Sequence, residues 1–311
     1  MQTFSLILSL VILLTLTFST PAVAQNQHTD PTLVSIADTR IHTYYSENVR
    51  DTFELWIAQP QAGFVPISDE PLQVLYLLDA NLFFGTAVEM TRLMHKLYGE
   101  LPPLLIVGIA YPTDNGFQQS ALRTRDFTPS EDAGMASMAS SMPQMPGVQP
   151  VEPAMGGADR FLAFIKQEVK PFVDAHYEVN KEGEIVFGSS LGGLFVAHTL
   201  LQAPASFDHY IITSPALWWN KGEILHNKQW TADALAKSPA NVFVAVGSLE
   251  ESADVPGLAA FKMVTNAREM ANKLSERMMQ SNSVSFDEIE DETHTSVVPV
   301  ALTRGLRKTL Q

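Results

Sequence analysis

Residues 185–195 read IVFGSSLGGLF, with two adjacent serines flanked by glycines. The string contains the G-x-S-x-G pattern, a sharp turn between a strand and a helix that exposes a serine at its tip. Such a turn strains the backbone of the serine, so the residues two positions before and after it must be small. Centred on Ser190, these positions are Gly188 and Gly192, whereas centring on Ser189 would place bulky side chains there. The pattern therefore predicts that Ser190 is a nucleophile.

The segments around this turn alternate between strand-like and helix-like patterns. Two β-rich stretches, residues 36–45 and 52–58, predict an opening antiparallel pair. Short apolar runs predict six further strands at residues 72–79, 104–111, 184–188, 210–214, 242–247 and 284–289. Apolar residues at helical spacing predict helices over residues 161–172, with a kink at Pro171, and over 191–201, 258–279 and 297–310. Strands that alternate with helices predict an α/β fold with a mostly parallel central sheet and helices on both faces.

The first 24 residues have the features of a secretory signal peptide. The apolar run FSLILSLVILLTLTF is followed by Pro21 and by the cleavage pattern Ala22-Val23-Ala24. We expect cleavage after Ala24, a periplasmic or secreted location, and a single catalytic domain over residues 25–311 without a stable membrane span. The absence of Lys and Arg before the apolar run departs from the usual pattern, and the alternative is an uncleaved membrane anchor.

The charge and the cysteine count exclude several classes of partner and linkage. The formal net charge is −14, and residues 1–24 contain no charged side chain, so cleavage would leave that charge unchanged. A strongly acidic protein is not expected to bind nucleic acid or anionic membranes. The chain has no cysteine, which rules out disulfides and a lipidated cysteine. The oligomeric state is not predictable from these features.

The composition of residues 131–157 predicts an insertion, since they are poor in large aliphatic residues and rich in Ala, Ser, Pro and Gly. A loop of this length within a domain is usually functional or disordered, and we expect a mobile lid. Four of its methionines recur every three or four residues: Met135, Met138, Met142 and Met145. Because thioethers are soft ligands, a Cu(I) site is the alternative to a lid.

A serine nucleophile needs a general base, which a carboxylate in turn orients. In this kind of fold the three residues follow the chain order serine, acid, histidine. Of the eight histidines, only His294 lies in a loop directly after a late predicted strand, and we predict that it is the base. The loop after the preceding strand contains Glu250, Glu251 and Asp254 as alternatives for the acid, and Glu250 is nearest to the strand end.

Acyl transfer also requires two hydrogen-bond donors for the developing oxyanion. The backbone N–H of Leu191, which follows the predicted nucleophile, is the expected first donor. By analogy the second comes from the loop after the strand at 72–79, where Ala80 or Asn81 occupies the required position.

With these pieces in place, the chain resembles the esterase-D-like α/β-hydrolases and, within them, the exported ferric-siderophore (enterochelin) esterases. The resemblance extends over nearly all of residues 25–311 and is carried by the stretches VLYLLDANLFF, IVGIAYPT, RTRDFTP, GGADRFLAFIKQEVKPFVDAHYEV, FGSSLGGLFVAHTLL, SPALWWNKGEIL, VAVGSLE and HTSVVPVALTRGLR. Family members usually carry His or Gln at the position of Ser189 and Gly at that of Ala80. The resemblance implies ester hydrolysis through an acyl-enzyme, no metal or organic cofactor, and in some members a Ser–His dyad without an acid.

Four further residues are candidates for contact with a small-molecule ester substrate. Arg123 and Arg125 could bind an anionic group such as a ferric tris-catecholate, or a pair between arginine and Asp126 could instead brace the loop. Trp218 and Trp219 could stack on aromatic rings, with core packing as the alternative for one of them. Because the net charge of −14 would repel an anionic iron complex, the sequence does not identify the substrate.

The alternative functions are a general esterase or thioesterase, a serine peptidase and a non-enzymatic binding module.

Overall fold

Eight strands form one sheet within the residues that the computed structural model describes, which are 34–141, 154–253, 259–278 and 284–310. In chain order the strands are β1 (Thr39–Ser46), β2 (Asp51–Ala58), β3 (Gln73–Leu77), β4 (Leu104–Ala110), β5 (Ile185–Ser189), β6 (His209–Thr213), β7 (Asn241–Gly247) and β8 (Val284–Ile289). Their order in the sheet is β1-β2-β4-β3-β5-β6-β7-β8. Strand β2 is antiparallel to β1 and β4, and the pairs from β4 to β8 are parallel. The predicted α/β fold with a mostly parallel sheet is confirmed.

Helices cover both faces of this sheet. They are α1 (Ala80–Tyr98), α2 (Gly116–Phe127), α3 (Ala133–Ser141), α4 (Ala158–Phe164), α5 (Lys170–His176), α6 (Leu191–Gln202), α7 (Asp233–Ala236), α8 (Met263–Arg277) and α9 (Val297–Leu310). Short 3₁₀ turns span Pro204–Ser206, Glu223–His226, Lys228–Thr231 and Ser248–Glu251. Helices α1 and α9 pack on one face, while α4, α6 and α8 pack on the other. From Ile36 onward the described residues belong to one compact unit.

The strands divide their side chains between two apolar clusters, because successive residues of a strand point to opposite faces. In β3, Val74 and Tyr76 belong to the cluster beneath α4, α6 and α8, whereas Leu75 and Leu77 belong to the cluster beneath α1 and α9. Burial on both faces explains why β3 to β7 read as continuous apolar runs in the sequence. The carboxyl ends of the parallel strands therefore meet at a single edge, which we call the carboxyl edge.

The disturbance that we predicted at Pro171 takes the form of a π-helical turn. Residues Ile165–Val169 form this turn between α4 and α5, and the N–H of Lys170 donates to the carbonyl of Ile165. A proline inside a helix lacks the N–H donor and its ring clashes with the carbonyl four residues earlier. The wider turn relieves that conflict just before the proline.

Two sequence predictions fall partly outside the described residues. The insertion over 131–157 is not wholly a loop, since α3 lies within it and the side chain of Met135 packs against the core. Met142 and Met145 lie outside the described residues, as do residues 1–33 with the predicted signal peptide. Within the described ranges, no helix combines the length and apolarity needed to cross a bilayer, and no cluster of three His, Asp or Glu side chains suits a metal ion.

Candidate active site

Ser190 occupies the turn between β5 and α6 at the carboxyl edge. Its backbone has φ 60° and ψ −119°, a combination that is strained for a residue with a side chain. Glycine is needed before the serine, because a Cβ atom at Gly188 would lie 2.3 Å from the carbonyl oxygen of Gly192, and a Cβ atom at Gly192 would lie 3.2 Å from Oδ2 of Asp79. The structure thus has the strand–turn–helix geometry that the sequence pattern requires.

Hydrogen bonds fix the backbone of Ser190. Its N–H donates to the carbonyl of Thr213 at 3.1 Å, and its own carbonyl accepts from the N–H groups of Leu194 and Ala216 at 2.9 and 3.0 Å. The neighbouring Ser189 is the last residue of β5 and is buried. Ser190 is only partly buried, so it is the more accessible of the two hydroxyl groups.

Glu250 lies in the 3₁₀ turn that directly follows β7, and its carboxylate is buried. One oxygen, Oε1, accepts from the hydroxyl of Ser214 at 2.5 Å and from the N–H of Gly247 at 2.7 Å. The other, Oε2, accepts from Nδ1 of His294 at 2.6 Å. When Nδ1 of a neutral imidazole donates to a carboxylate, that bond fixes the ring orientation and the tautomer, and Nε2 is the nitrogen that can accept a proton.

The loops after β7 and β8 are joined, which brings His294 to Glu250. The N–H of Leu249 donates to the carbonyl of Glu292 at 3.1 Å, and the N–H of Asp291 donates to the hydroxyl of Ser248 at 3.0 Å. The side chain of His294 is 39% exposed although its partner is buried. One edge of the imidazole is therefore held by protein while the remainder is open to a ligand.

The two alternatives for the acid are arranged differently. Glu251 accepts from the backbone N–H and the hydroxyl of Thr265, each at 2.7 Å, and so binds the first turn of α8 rather than a histidine. Asp254 lies outside the described residues. Of the described carboxylates in this loop, Glu250 alone contacts His294.

The predicted oxyanion donors occupy the first turns of two helices. Leu191 begins α6, and Ala80 and Asn81 begin α1. The first backbone N–H groups of a helix have no acceptor within it and are available to an anion. The side chain of Asn81 exchanges two hydrogen bonds with the backbone of Tyr111, at 2.8 and 3.0 Å, which anchors the start of α1 to the end of β4.

Comparison with known proteins places the chain in a family. The esterase family model, described as "Putative esterase", matches residues 64–296. The ferri-bacillibactin esterase BesA of Bacillus subtilis (strain 168) is 35% identical over 277 residues, which cover 88% of this chain and 90% of that protein. The chain belongs to the esterase family. It is a hydrolase that acts on ester bonds.

Solved structures agree with this assignment. The BES protein from Bacillus cereus is 31% identical and has a TM-score of 0.74, with 91% of this chain and 100% of that chain covered. The siderophore hydrolase EstA from Aspergillus nidulans is 26% identical and has a TM-score of 0.70, with 89% of this chain and 97% of that chain covered. These similarities support the α/β-hydrolase fold of the esterase.

In this esterase, Arg123 is held by Asp79, the residue directly before α1. The guanidinium Nε and Nη2 atoms each lie 2.8 Å from a carboxylate oxygen of Asp79, which is buried. Burial by itself would lower the pKa of Arg123, but the charge and hydrogen bonds of Asp79 outweigh it and the pKa is raised. Because Asp79 has a left-handed backbone with φ 53°, the bidentate pair stabilises a strained turn next to Ala80.

Arg125 forms the bracing pair that was one of the two sequence interpretations. Its guanidinium donates to both carboxylate oxygens of Asp126, at 2.7 and 2.9 Å, and to Asp51 at 2.6 Å. The hydroxyl of Tyr111 donates to the same Asp126 carboxylate at 3.2 Å. Burial raises the pKa of Asp126, and the bonds from Arg125 act against that rise. Neither predicted arginine is thus free of carboxylate partners.

The adjacent tryptophans have different surroundings. Trp219 is buried and its indole N–H donates to the carbonyl of Ser130 at 3.1 Å, so it packs in the core. Trp218 is partly buried and its ring lies 4.6 Å from that of Phe261, measured between centroids. Of the two, Trp218 is the one available to a ligand at the carboxyl edge.

Two polar residues of the site were missed in the sequence analysis. Ser214 donates to Glu250, and Asp79 holds Arg123. Each is the last residue of a predicted strand, 210–214 and 72–79. Because ligands of α/β sheets bind at the carboxyl ends of strands, a polar residue at either position was a usable signal.

Proposed function

We propose that the esterase is an exported serine hydrolase that opens ester bonds of siderophores through an acyl-enzyme. The observation that carries the proposal is the 2.6 Å hydrogen bond between the buried Glu250 and Nδ1 of His294, at the same sheet edge as the strained Ser190. A nucleophile at a strained turn, a base and a carboxylate that orients the base are the parts that acyl transfer requires.

In the proposed reaction, Ser190 Oγ attacks the ester carbonyl carbon while Nε2 of His294 accepts the hydroxyl proton. The carboxylate of Glu250 stabilises the imidazolium that forms. The carbonyl oxygen becomes negatively charged and receives hydrogen bonds from the N–H of Leu191 and from that of Ala80 or Asn81. The tetrahedral species collapses, and the leaving alcohol takes the proton from His294. Water then repeats these steps on the acyl-enzyme, releasing the acid and Ser190.

The substrate class is proposed from the relatives. Besides BesA, a protein of Emericella nidulans named siderophore enterobactin esterase is 32% identical over 257 residues. Export through a signal peptide of residues 1–24 is part of the proposal and rests on the sequence pattern alone. The net charge of −14 opposes binding of an anionic complex, unless a local cation attracts it.

The test is ester hydrolysis by the protein from Gln25 onward. The substrates are short p-nitrophenyl esters, acyl thioesters, a matched amide and a cyclic tri-catecholate ester with and without iron. We expect hydrolysis of the trilactone, loss of activity in Ser190→Ala, and normal activity in the matched control Ser189→Ala. Turnover of simple esters alone would make the enzyme a general esterase, and comparable amide turnover would make it a peptidase. Undiminished activity in Ser190→Ala would disprove the serine mechanism.

A further inference from the structure

Three consecutive residues after β6 have left-handed backbones, which is rare outside glycine. Asn220 has φ 45° and ψ 54°, Lys221 has φ 59° and ψ 31°, and Gly222 has φ 76° and ψ 27°. Left-handed residues normally occur singly, and strain of this kind concentrates at functional sites. Only the third position carries the residue that tolerates the conformation without cost.

A network of hydrogen bonds holds this left-handed turn. The N–H of Asn220 donates to Asp132 at 2.7 Å, and its side-chain amide donates to Glu223 at 2.6 Å and to Ser130 at 3.2 Å. Ser130 also donates its hydroxyl to Glu223. Glu223 is a local partner, whereas Ser130 and Asp132 lie about 90 residues earlier in the chain, so long-range contacts help to fix the conformation.

The turn is connected to the nucleophile through a series of backbone hydrogen bonds. The N–H of Ala216 donates to the carbonyl of Ser190 at 3.0 Å, the N–H of Trp219 donates to the carbonyl of Ala216 at 3.1 Å, and the N–H of Gly222 donates to the carbonyl of Trp218 at 3.1 Å. Three successive hydrogen bonds therefore link the turn to the carboxyl edge of the sheet at Ser190.

Lys221 is the cation that this turn presents. Its side chain is exposed, and no ion pair among the described residues includes it. The nearby carboxylates of Asp132 and Glu223 accept from Asn220 instead. Arg123 and Arg125, by contrast, are each bound to carboxylates. Three residues before Lys221, Trp218 offers a partly buried aromatic surface against Phe261.

We propose that Lys221, three residues along the chain from Trp218 and its partner Phe261, is a specificity-determining residue that binds an anionic aromatic group of the ester substrate. The inference rests on the proposed function and assigns the recognition of a catecholate-type group to this lysine instead of the arginines. An ammonium group next to an aromatic surface matches a ring that carries negative oxygens. In a protein of net charge −14, an unpaired cation on a turn that hydrogen bonds join to Ser190 would supply the local attraction that such a substrate needs.

The test measures binding without turnover, in a Ser190→Ala background, by quenching of tryptophan fluorescence. The ligands are a trianionic ferric tris-catecholate and a neutral ferric tris-hydroxamate. We expect Lys221→Gln to raise the Kd of the anionic complex roughly tenfold relative to that of the neutral one. The matched control is Lys181→Gln, an exposed lysine before β5 at the opposite edge of the sheet, which should leave the ratio unchanged.

A second variant separates recognition from folding. Lys221→Gly removes the charge and the strained side chain together, so we expect the same loss of anion binding with a Tm no lower than that of the parent. Three outcomes would each overturn the proposal. They are an equal rise in the Kd of both complexes in the Lys221 variants, the same rise in the Kd of the anionic complex in Lys181→Gln, and a parent protein that does not bind the anionic complex more tightly than the neutral one. Failure of the esterase proposal would be seen separately, as absence of Ser190-dependent ester hydrolysis in the protein that retains Ser190.

Discussion

Two pairs of a carboxylate and a basic side chain lie at opposite edges of the sheet and differ in how they are enclosed. At the carboxyl edge, the Glu250 side chain is 1% exposed, whereas its partner His294 is 39% exposed. The opposite edge, where the amino ends of the parallel strands meet, we call the amino edge. There Lys170 and Glu184 form an ion pair in which each side chain is 15% exposed, and aromatic rings cover the ammonium group. An open partner can exchange a proton with a ligand, while a closed pair can only stabilise the fold. We therefore expect changes at the two edges to affect different properties.

The largest effect is expected at the carboxyl edge, from Ser190→Ala and from His294→Ala. Each should lower kcat by roughly 10⁴ to 10⁶, because the nucleophile and its base act as one unit. The measurement is kcat on a p-nitrophenyl ester, with the free energy of unfolding determined in parallel. Either variant with activity close to that of the unaltered enzyme would remove that residue from the proposed mechanism.

The next largest effect is expected from Glu250→Gln. The glutamine amide has the same shape as the glutamate carboxylate but lacks its negative charge, so it stabilises the imidazolium less. We therefore expect kcat to fall by a factor of roughly 10² to 10⁴. Glu251→Gln is the matched control, since Glu251 binds the start of α8 and not the histidine. Full activity of Glu250→Gln would mean that Ser190 and His294 suffice as a dyad.

Local patterns predicted much of the carboxyl edge. The bounds predicted for β8 and α9 match the structure, and the turn at Ser190 lies where the glycine pattern puts it. The choice of Glu250 from its nearness to the strand end agrees with the bond to His294, although its role stays a proposal. These features depend on short-range periodicity and sterics, which a sequence displays directly.

Long-range contacts were not predictable in the same way. Arg123 was a candidate for contact with substrate or for a pair with Asp126, and it binds Asp79, which is 44 residues away in the chain. That contact depends on the crossing of strand order in the sheet, where β4 precedes β3. Helices α1 and α2 were not specified, and the left-handed turn at Lys221 is held by Ser130 and Asp132, about 90 residues earlier. No local propensity encodes such partners.

At the amino edge, Lys170→Met should lower stability and spare catalysis. Without Lys170, the hydroxyl of Tyr76 is the one described side chain that still donates to the carboxylate of Glu184. Because this leaves a largely buried charge poorly compensated, we expect the free energy of unfolding to fall by about 2 to 3 kcal/mol. Urea denaturation measures this loss, and kcat should stay within about twofold. Lys181→Met, at an exposed ion pair with Asp174, should change neither property. A large fall in kcat for Lys170→Met at full stability would contradict the separation of the two edges.

The smallest effect concerns pH and His209, the first residue of β6 at the amino edge. Burial lowers the pKa of His209 from its usual 6.5, and the nearby charge of Asp208 acts in the opposite direction. The folded protein therefore favours the neutral ring, and the unfolded chain takes up the proton first as the pH falls below about 6.5. The stability that the neutral His209 contributes is therefore fully present above about pH 6.5. It is lost as the pH falls through the lower pKa that His209 has in the folded protein.

His209→Gln should accordingly flatten the fall in unfolding free energy between about pH 7.5 and 5.5. The slope should persist in part, because burial also lowers the pKa of His42. The measurement is urea denaturation across this range, with kcat of the variant and the unaltered enzyme compared at each pH. If the variant changed the pH dependence of kcat but not that of stability, His209 would be coupled to His294. The closed amino edge would then contribute to catalysis, and the division of work between the two edges would be wrong.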